Sequence, residues 1–148
     1  MMRDRFAERG EFAEMEGLLD SWLDDAGNVR SAFLNLREVL GKKEKALLYF
    51  KSRAGISHSL RGYVPKTGDP GDRLFVMVDI VDDDPENRWL SVCFYGDTIT
   101  DPDEAGDLVP GGLLGEDGYC FDLYEYDAAA ISYLTKRIDE AYQNSLAG

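Results

Sequence analysis

Two runs, Arg73-Leu74-Phe75-Val76-Met77-Val78-Asp79-Ile80-Val81 and Trp89-Leu90-Ser91-Val92-Cys93-Phe94-Tyr95, flank the turn Asp82-Asp83-Asp84-Pro85-Glu86-Asn87-Arg88. A β-strand turns its side chains over with period two. Leu74, Val76, Val78 and Ile80 therefore share one face of the first run, and Phe75, Met77, Asp79 and Val81 the other. Pairing Val81 with Trp89 sets Asp79 opposite Ser91, Met77 opposite Cys93 and Phe75 opposite Tyr95. The reverse face then matches Ile80 with Leu90, Val78 with Val92 and Val76 with Phe94. That face is apolar throughout and suits a core. Its counterpart mixes aromatic rings with a carboxylate, a hydroxyl and a thiol.

Upstream, Ala46–Lys51 and Ile56–Val64 read as two further strands around the Arg53-Ala54-Gly55 punctuation. The same alternation sends His58, Leu60 and Val64 to the core side, and Ser57, Ser59, Arg61 and Tyr63 to the mixed side. Phe12, Met15, Leu18, Leu19, Trp22 and Leu23 recur at helical spacing and predict a helix from Glu11 to Asp25. Val29, Phe33, Leu36 and Leu40 mark a second, with Asn28 as its N-cap and Gly41 as a left-handed stop. Ile131, Leu134, Ile138, Ala141 and Tyr142 mark a last helix capped by Asp127. Residues 65–72 read as a loop, Thr98 to Gly118 as a long ordered loop, and Tyr119–Tyr124 as a possible short added strand. The fold class is α+β: a two-layer sandwich in α-α-β-β-β-β-α order. An antiparallel sheet of about four strands carries helices on one face, in a single domain spanning 1–148.

The 148 residues carry a net charge of −13. Residues 1–66 hold 12 Lys+Arg against 10 Asp+Glu, or +2; residues 67–148 hold 4 against 19, or −15; the two sum to −13. Such a balance opposes general binding to nucleic acid or anionic membrane, which depends on cation contacts. No apolar run approaches the roughly 20 residues that cross a bilayer, and the start Met1-Met2-Arg3-Asp4-Arg5 lacks the apolar core of a secretory signal. A cytoplasmic location is expected. Cys93 and Cys120 in strand-like context then read as reduced core residues.

The mixed face gathers Arg61, Tyr63, Phe75, Asp79, Trp89, Ser91 and Tyr95. A contiguous aromatic group on an uncovered sheet face marks an interface or a ligand surface. The leading expectation is a non-catalytic domain that binds a protein partner or its own copy there. The alternative is a small-molecule or anion pocket at Arg61, Asp79, Ser91 and Trp89, closed by residues 98–118, with Leu113 and Leu114 wrapping over the face. A third is divalent-cation binding by the acidic half, although neither Asp82-Asp83-Asp84-Pro85-Glu86 nor Asp101-Pro102-Asp103-Glu104 has the glutamate that a calcium loop needs at its twelfth position. Such runs also serve as solvated turns. No metal or cofactor is assigned.

Candidate chemistry is sparse. His58 is the only histidine, and no Gly-x-Ser-x-Gly elbow occurs. Cys93 and His58 fall on opposite faces, so His58 reads as a buried histidine satisfied by hydrogen bonds, and no catalytic residue is assigned. Lys42, Lys43, Lys45, Lys51, Arg53 and Arg61 form the one basic concentration. It is either a solvated rim or an anion seat with Arg61 as the fork-like contact.

The acidic leading helix, the sheet carrying Arg88-Trp89-Leu90-Ser91 after a proline turn, and the closing helix together resemble the layout of the frataxin (CyaY-like) proteins. Small bacterial α/β proteins of the YjbR-like type share that plan. The frataxin resemblance implies iron handling by first-helix carboxylates, which here are Glu11, Glu14, Asp20 and Asp24.

Overall fold

The structure, a computed structural model, describes residues 2–69 and 71–148; of the predicted loop at 65–72, Pro70 lies outside the described residues, as does Met1. After a short 3₁₀ turn (Met2–Arg5) come helix α1 (Glu11–Ser21) and helix α2 (Val29–Gly41). Strands β1 (Leu47–Arg53), β2 (Ser57–Val64), β3 (Arg73–Val81), β4 (Trp89–Tyr95), β5 (Asp107–Leu113) and β6 (Glu116–Leu123) precede helix α3 (Ala128–Ala147). All strand pairs are antiparallel, in the order β1-β2-β3-β4-β6-β5. The fold is α+β, with six strands where the pattern predicts about four.

The two additional strands form a hairpin: β5 lies inside the predicted long loop, and β6 takes in most of the short strand expected at Tyr119–Tyr124. Leu113 pairs with Glu116 around a two-residue turn in which Leu114 (φ 50°) and Gly115 (φ 86°) are both left-handed. Two successive positive φ values make the tight turn that matches strand twist. Leucine at the first position gives no signal for it, and Pro110-Gly111-Gly112 breaks the alternation of β5.

The helices bury their apolar stripes on one face of the sheet. Met15, Leu19, Phe33, Leu36, Leu134 and Ile138 meet Phe50, Leu60, Val78, Ile80, Val92 and Phe94 in one continuous core. Each such side chain contributes about 1.5–3 kcal/mol when fully buried. α1 stops at Ser21, short of the predicted Asp25, because Trp22 turns extended (ψ 96°) and tucks its indole into the core, donating to the Asp24 carbonyl at 3.1 Å. The cap of α2 also differs from expectation. Asn28 is left-handed and makes no side-chain cap, whereas the Asp25 carboxylate accepts from the Val29 and Arg30 backbone N–H groups at 2.7 and 3.1 Å. Gly41 is the last residue of α2 and has no positive φ; its missing Cβ admits Met2, whose Cε would lie 2.6 Å away. Asp127 caps α3 as predicted, accepting from Ala129 and Ala130.

The β3–β4 register is the predicted one from Val81–Trp89 through Met77–Cys93. Upstream of it the alternation breaks. Tyr63 pairs with Leu74 but Gly62 with Val76, so Phe75 is an extra residue in β3. A bulge of this kind turns two successive side chains to the same side. Phe75 and Val76 both enter the helix-side core, and Leu74 takes the place predicted for Phe75 on the opposite face.

The two margins of the sheet differ. Along β1, Phe6 forms a parallel bridge with Leu48, Ala7 donates to the Leu48 carbonyl at 3.1 Å, and the Glu11 carboxylate accepts the Phe50 N–H at 2.6 Å. Among the described residues β5 bears no neighbouring strand on its outer side, and its Leu108 and Val109 are exposed.

Candidate functional site

On the face away from the helices, register stacks side chains into rows that cross the strands. One row runs Lys51, Ser59, Asp79, Ser91, Asp122. The next runs Tyr49, Arg61, Met77, Cys93, Cys120, Asp107. On the other side of the polar row lie Arg53, Ser57, Val81 and Trp89. Directly opposed side chains in an antiparallel pair sit about 4.5–5.5 Å apart at Cβ, so each row is a contiguous strip.

The β5–β6 hairpin tip closes over part of this face. Leu113 is buried in a second apolar cluster with Leu74, Met77, Cys93 and Tyr95, flanked by Tyr63 and Cys120. Cys93 and Cys120 form a disulfide between directly opposed residues of β4 and β6, with 4.2 Å between Cα atoms. This corrects the expectation of reduced thiols. β6 pairs directly with β4, and that adjacency brings the two sulfurs together.

Between Leu113–Leu114 and the strands lies a cleft of about 380 Å³, lined by Lys51, Arg53, Ser57, Ser59, Arg61, Met77, Asp79 and Gly112. Three cations and one carboxylate face it, in a chain of net charge −13. The Lys51 ammonium is already engaged by Glu11 at 2.8 Å, and that hydrogen bond raises its pKa. Arg53 and Arg61 differ from it. Arg53 reaches the Ser57 hydroxyl at 3.3 Å and the Arg61 Nε donates to the Ser59 hydroxyl at 3.1 Å. Neither guanidinium makes a salt bridge among the described residues. Asp79 sits on the cleft floor, and its Oδ1 is buried with no hydrogen-bond partner. Burial pushes its carboxyl above the ordinary range, against the Ser59 hydroxyl and the charges of Arg61 and Arg53. At the far end of the polar row, burial raises Asp122 too.

The predicted site residues therefore separate. Arg61 and Asp79 meet in the cleft, and Ser91 is the next member of their row, 3.5 Å from the Cys93 sulfur. Tyr63 and Tyr95 belong to the apolar cluster at one end, and Arg73 lies over the Tyr95 ring at 5.1 Å. Phe75 is on the other side of the sheet, against Tyr142. Trp89 lies at the opposite end, stacked on Tyr124 at 5.0 Å, and lines a separate hollow of about 200 Å³ beside the α1–α2 turn. Arg53, Ser57 and Ser59 join the site from positions the sequence had placed in the basic concentration or on the mixed face.

Of the carboxylates implied by the frataxin resemblance, Glu11 is buried and bonded to β1, while Glu14, Asp20 and Asp24 are exposed. Asp82, read as part of a solvated turn, is buried between His58 and Arg88. No group of three or more His, Cys, Asp or Glu side chains able to hold a metal occurs among the described residues. No helix among them is long and apolar enough to cross a membrane. No protein-family model matches the chain, and neither a curated protein nor a solved structure matches it.

Proposed function

We propose that the chain is a binding protein for a small anionic ligand, seated in the cleft between the free sheet face and the β5–β6 tip. The carrying observation is that two guanidinium groups that make no salt bridge among the described residues line the same cleft as a buried Asp79 oxygen with no hydrogen-bond partner. Guanidinium groups bind carboxylate or phosphate through parallel N–H bonds, roughly twice as strong as neutral ones. A buried acceptor left unpaired costs about 1–3 kcal/mol. A ligand hydroxyl or amine that donates to Asp79 removes that cost as it binds. The ligand class is thus an anion bearing a nearby donor, small enough for about 380 Å³.

Self-association through the aromatic face has less to support it. Tyr95 is buried with Leu113, Phe75 faces the helices, and the Trp89 ring is stacked by Tyr124. A thermal-shift panel of small hydroxy- and amino-carboxylates and phosphates tests the proposal. A ligand at a hundred times its Kd adds about 2.7 kcal/mol, which is roughly 5–10 °C for a chain of this size. Arg61→Ala and Arg53→Ala should each abolish the shift while leaving the unliganded melting temperature near that of the parent chain. An equal shift in the double arginine variant would place the ligand elsewhere, and a panel without a shift would remove the proposal.

A further inference from the structure

On the helix side of the same strands, three side chains are connected in a line. The exposed Ser52 hydroxyl lies 2.8 Å from His58 Nδ1, and His58 Nε2 lies 2.7 Å from Asp82 Oδ2. Register produces this. Ser52 and His58 are directly paired across β1 and β2, and His58 is paired with Ile80, two residues before Asp82. The Asp82 N–H donates to the Ile56 carbonyl at 2.8 Å, which holds the end of β3 against the start of β2. Arg88 donates from Nε to the other Asp82 oxygen at 2.7 Å, and itself lies over the Trp22 ring at 5.3 Å. The imidazole is parallel to the Phe50 ring at 6.3 Å, so its plane is fixed.

The chemistry follows from the partners. Burial pushes the Asp82 carboxyl up, but hydrogen bonds from Arg88 and His58 outweigh it and keep the group below its ordinary range, ionised. An ionised carboxylate at Nε2 holds the imidazole proton there. In the neutral imidazole Nδ1 then presents a lone pair to a hydroxyl that faces solvent. Nucleophile, base and orienting acid occupy the roles of a catalytic triad, which is recognised by geometry and not by sequence position.

We propose that Ser52 is an activated nucleophile that accepts acyl groups from small carboxylic esters, with His58 as general base and Asp82 as the residue that positions it. In the first step the Ser52 Oγ–carbon bond forms and the hydroxyl proton passes to His58 Nδ1. The carbon–oxygen bond of the ester then breaks, and that proton leaves on the departing alcohol. Water attacks the acyl-serine in turn, gives its proton to Nδ1, and the carboxylic acid departs as the hydroxyl regains a proton. The assignment is independent of the anion cleft, which lies on the other face of the sheet.

An alkyl fluorophosphonate tests it directly: a phosphorus–oxygen bond forms at Ser52 and fluoride leaves with the proton. Ser52 should be labelled in the native chain on the order of 100-fold faster than the exposed helix serines Ser21 and Ser31, the lower range of a general-base effect. Unfolding in urea should erase the difference. Ser52→Ala should remove the label and, the side chain being exposed, should fold. Asp82→Asn and His58→Gln should slow labelling while Ser21 and Ser31 remain unchanged. Labelling of Ser52 no faster in the native than in the urea-unfolded chain overturns the proposal, and that comparison needs no variant to fold. So does native labelling at the parent rate in a folded His58→Gln protein.

Discussion

The Phe75 ring lies directly over Gly62: a Cβ built on that glycine would meet the ring at 2.7 Å. The bulge and the glycine depend on each other, since the ring enters the core only where its neighbour has no side chain. Gly62→Ala should therefore overpack the β2–β3 seam and lose about 1–3 kcal/mol. Urea unfolding measures the loss. Pairing it with Phe75→Leu should recover part of the loss, because the two positions are in contact and their effects couple. Independent, additive losses would mean that the ring does not need the space.

Glu11 ties α1 to the outer strand by accepting the Phe50 N–H at 2.6 Å and the Lys51 ammonium at 2.8 Å. Removing it leaves a buried backbone donor without a partner. Glu11→Ala should cost about 1–3 kcal/mol by denaturant titration, whereas Glu14→Ala, at an exposed position of the same helix, should stay within about 0.5 kcal/mol of the parent. Hydrogen exchange at the Phe50 amide should accelerate in the first variant only.

Asp79 gives a pH signature with a definite sign. Its folded pKa is raised, so between the unfolded and folded values the native chain holds more protons than the unfolded one. Stability from this group therefore falls as pH rises through that window, is unpenalised below the ordinary carboxylate value of about 4, and stays reduced above the window. Asp79→Asn should be more stable than the parent at neutral pH and no more stable in acid. Asp82 and Asp101 act in the opposite sense, since both are held below the ordinary value. Their contribution is present above that value and is lost as pH falls through the folded one. Urea midpoints across pH for the parent and Asp79→Asn separate the two trends, and parallel curves would contradict the reading of Asp79.

The Cys93–Cys120 disulfide closes a segment of sequence separation 27 that contains the whole β5 strand. On the chain-entropy account a loop of that size adds roughly 3–4 kcal/mol. Reduction, or the Cys93→Ala/Cys120→Ala pair, should lower the melting temperature and accelerate exchange in β5 and β6 before the rest of the sheet. Identical melts with and without reductant would argue against a closed bond.

The parts legible in the sequence were those where one local rule acts alone. β3 and β4 alternate cleanly on both sides of a proline turn, so their register from Val81 to Met77 follows from pattern. The helices follow from apolar spacing and, for α3, from Asp127. What escaped depends on partners distant in the chain. Phe75 moves because Gly62 on the neighbouring strand makes room, and nothing in the alternation of β3 marks it. β5 carries Pro110, Gly111 and Gly112, which suit an irregular edge strand and read as loop. The role of Cys120 depends on β6 lying beside β4, a pairing across 20 intervening residues that no local pattern marks. Within the cleft, Arg61 and Asp79 were found because both lie in the clean part of the register; Arg53 was visible only as one charge in a basic concentration. His58 was recognised as buried and satisfied, but its partner Asp82 looked like part of a solvated turn. A triplet of aspartates gives no sign of which one turns inward.

The two flanks of the sheet are not equally open to a further strand. Residues 6–7 and the Glu11 side chain engage the outer backbone groups of Leu48 and Phe50 in β1, so β5 is the more open flank for an incoming strand. There Pro110 offers no N–H, and Asp107 repels acidic chains. Intermolecular strand addition, the usual start of fibril growth for an open sheet, is thereby hindered along the first half of β1 and, on β5, confined to a short stretch around Leu108 and Val109.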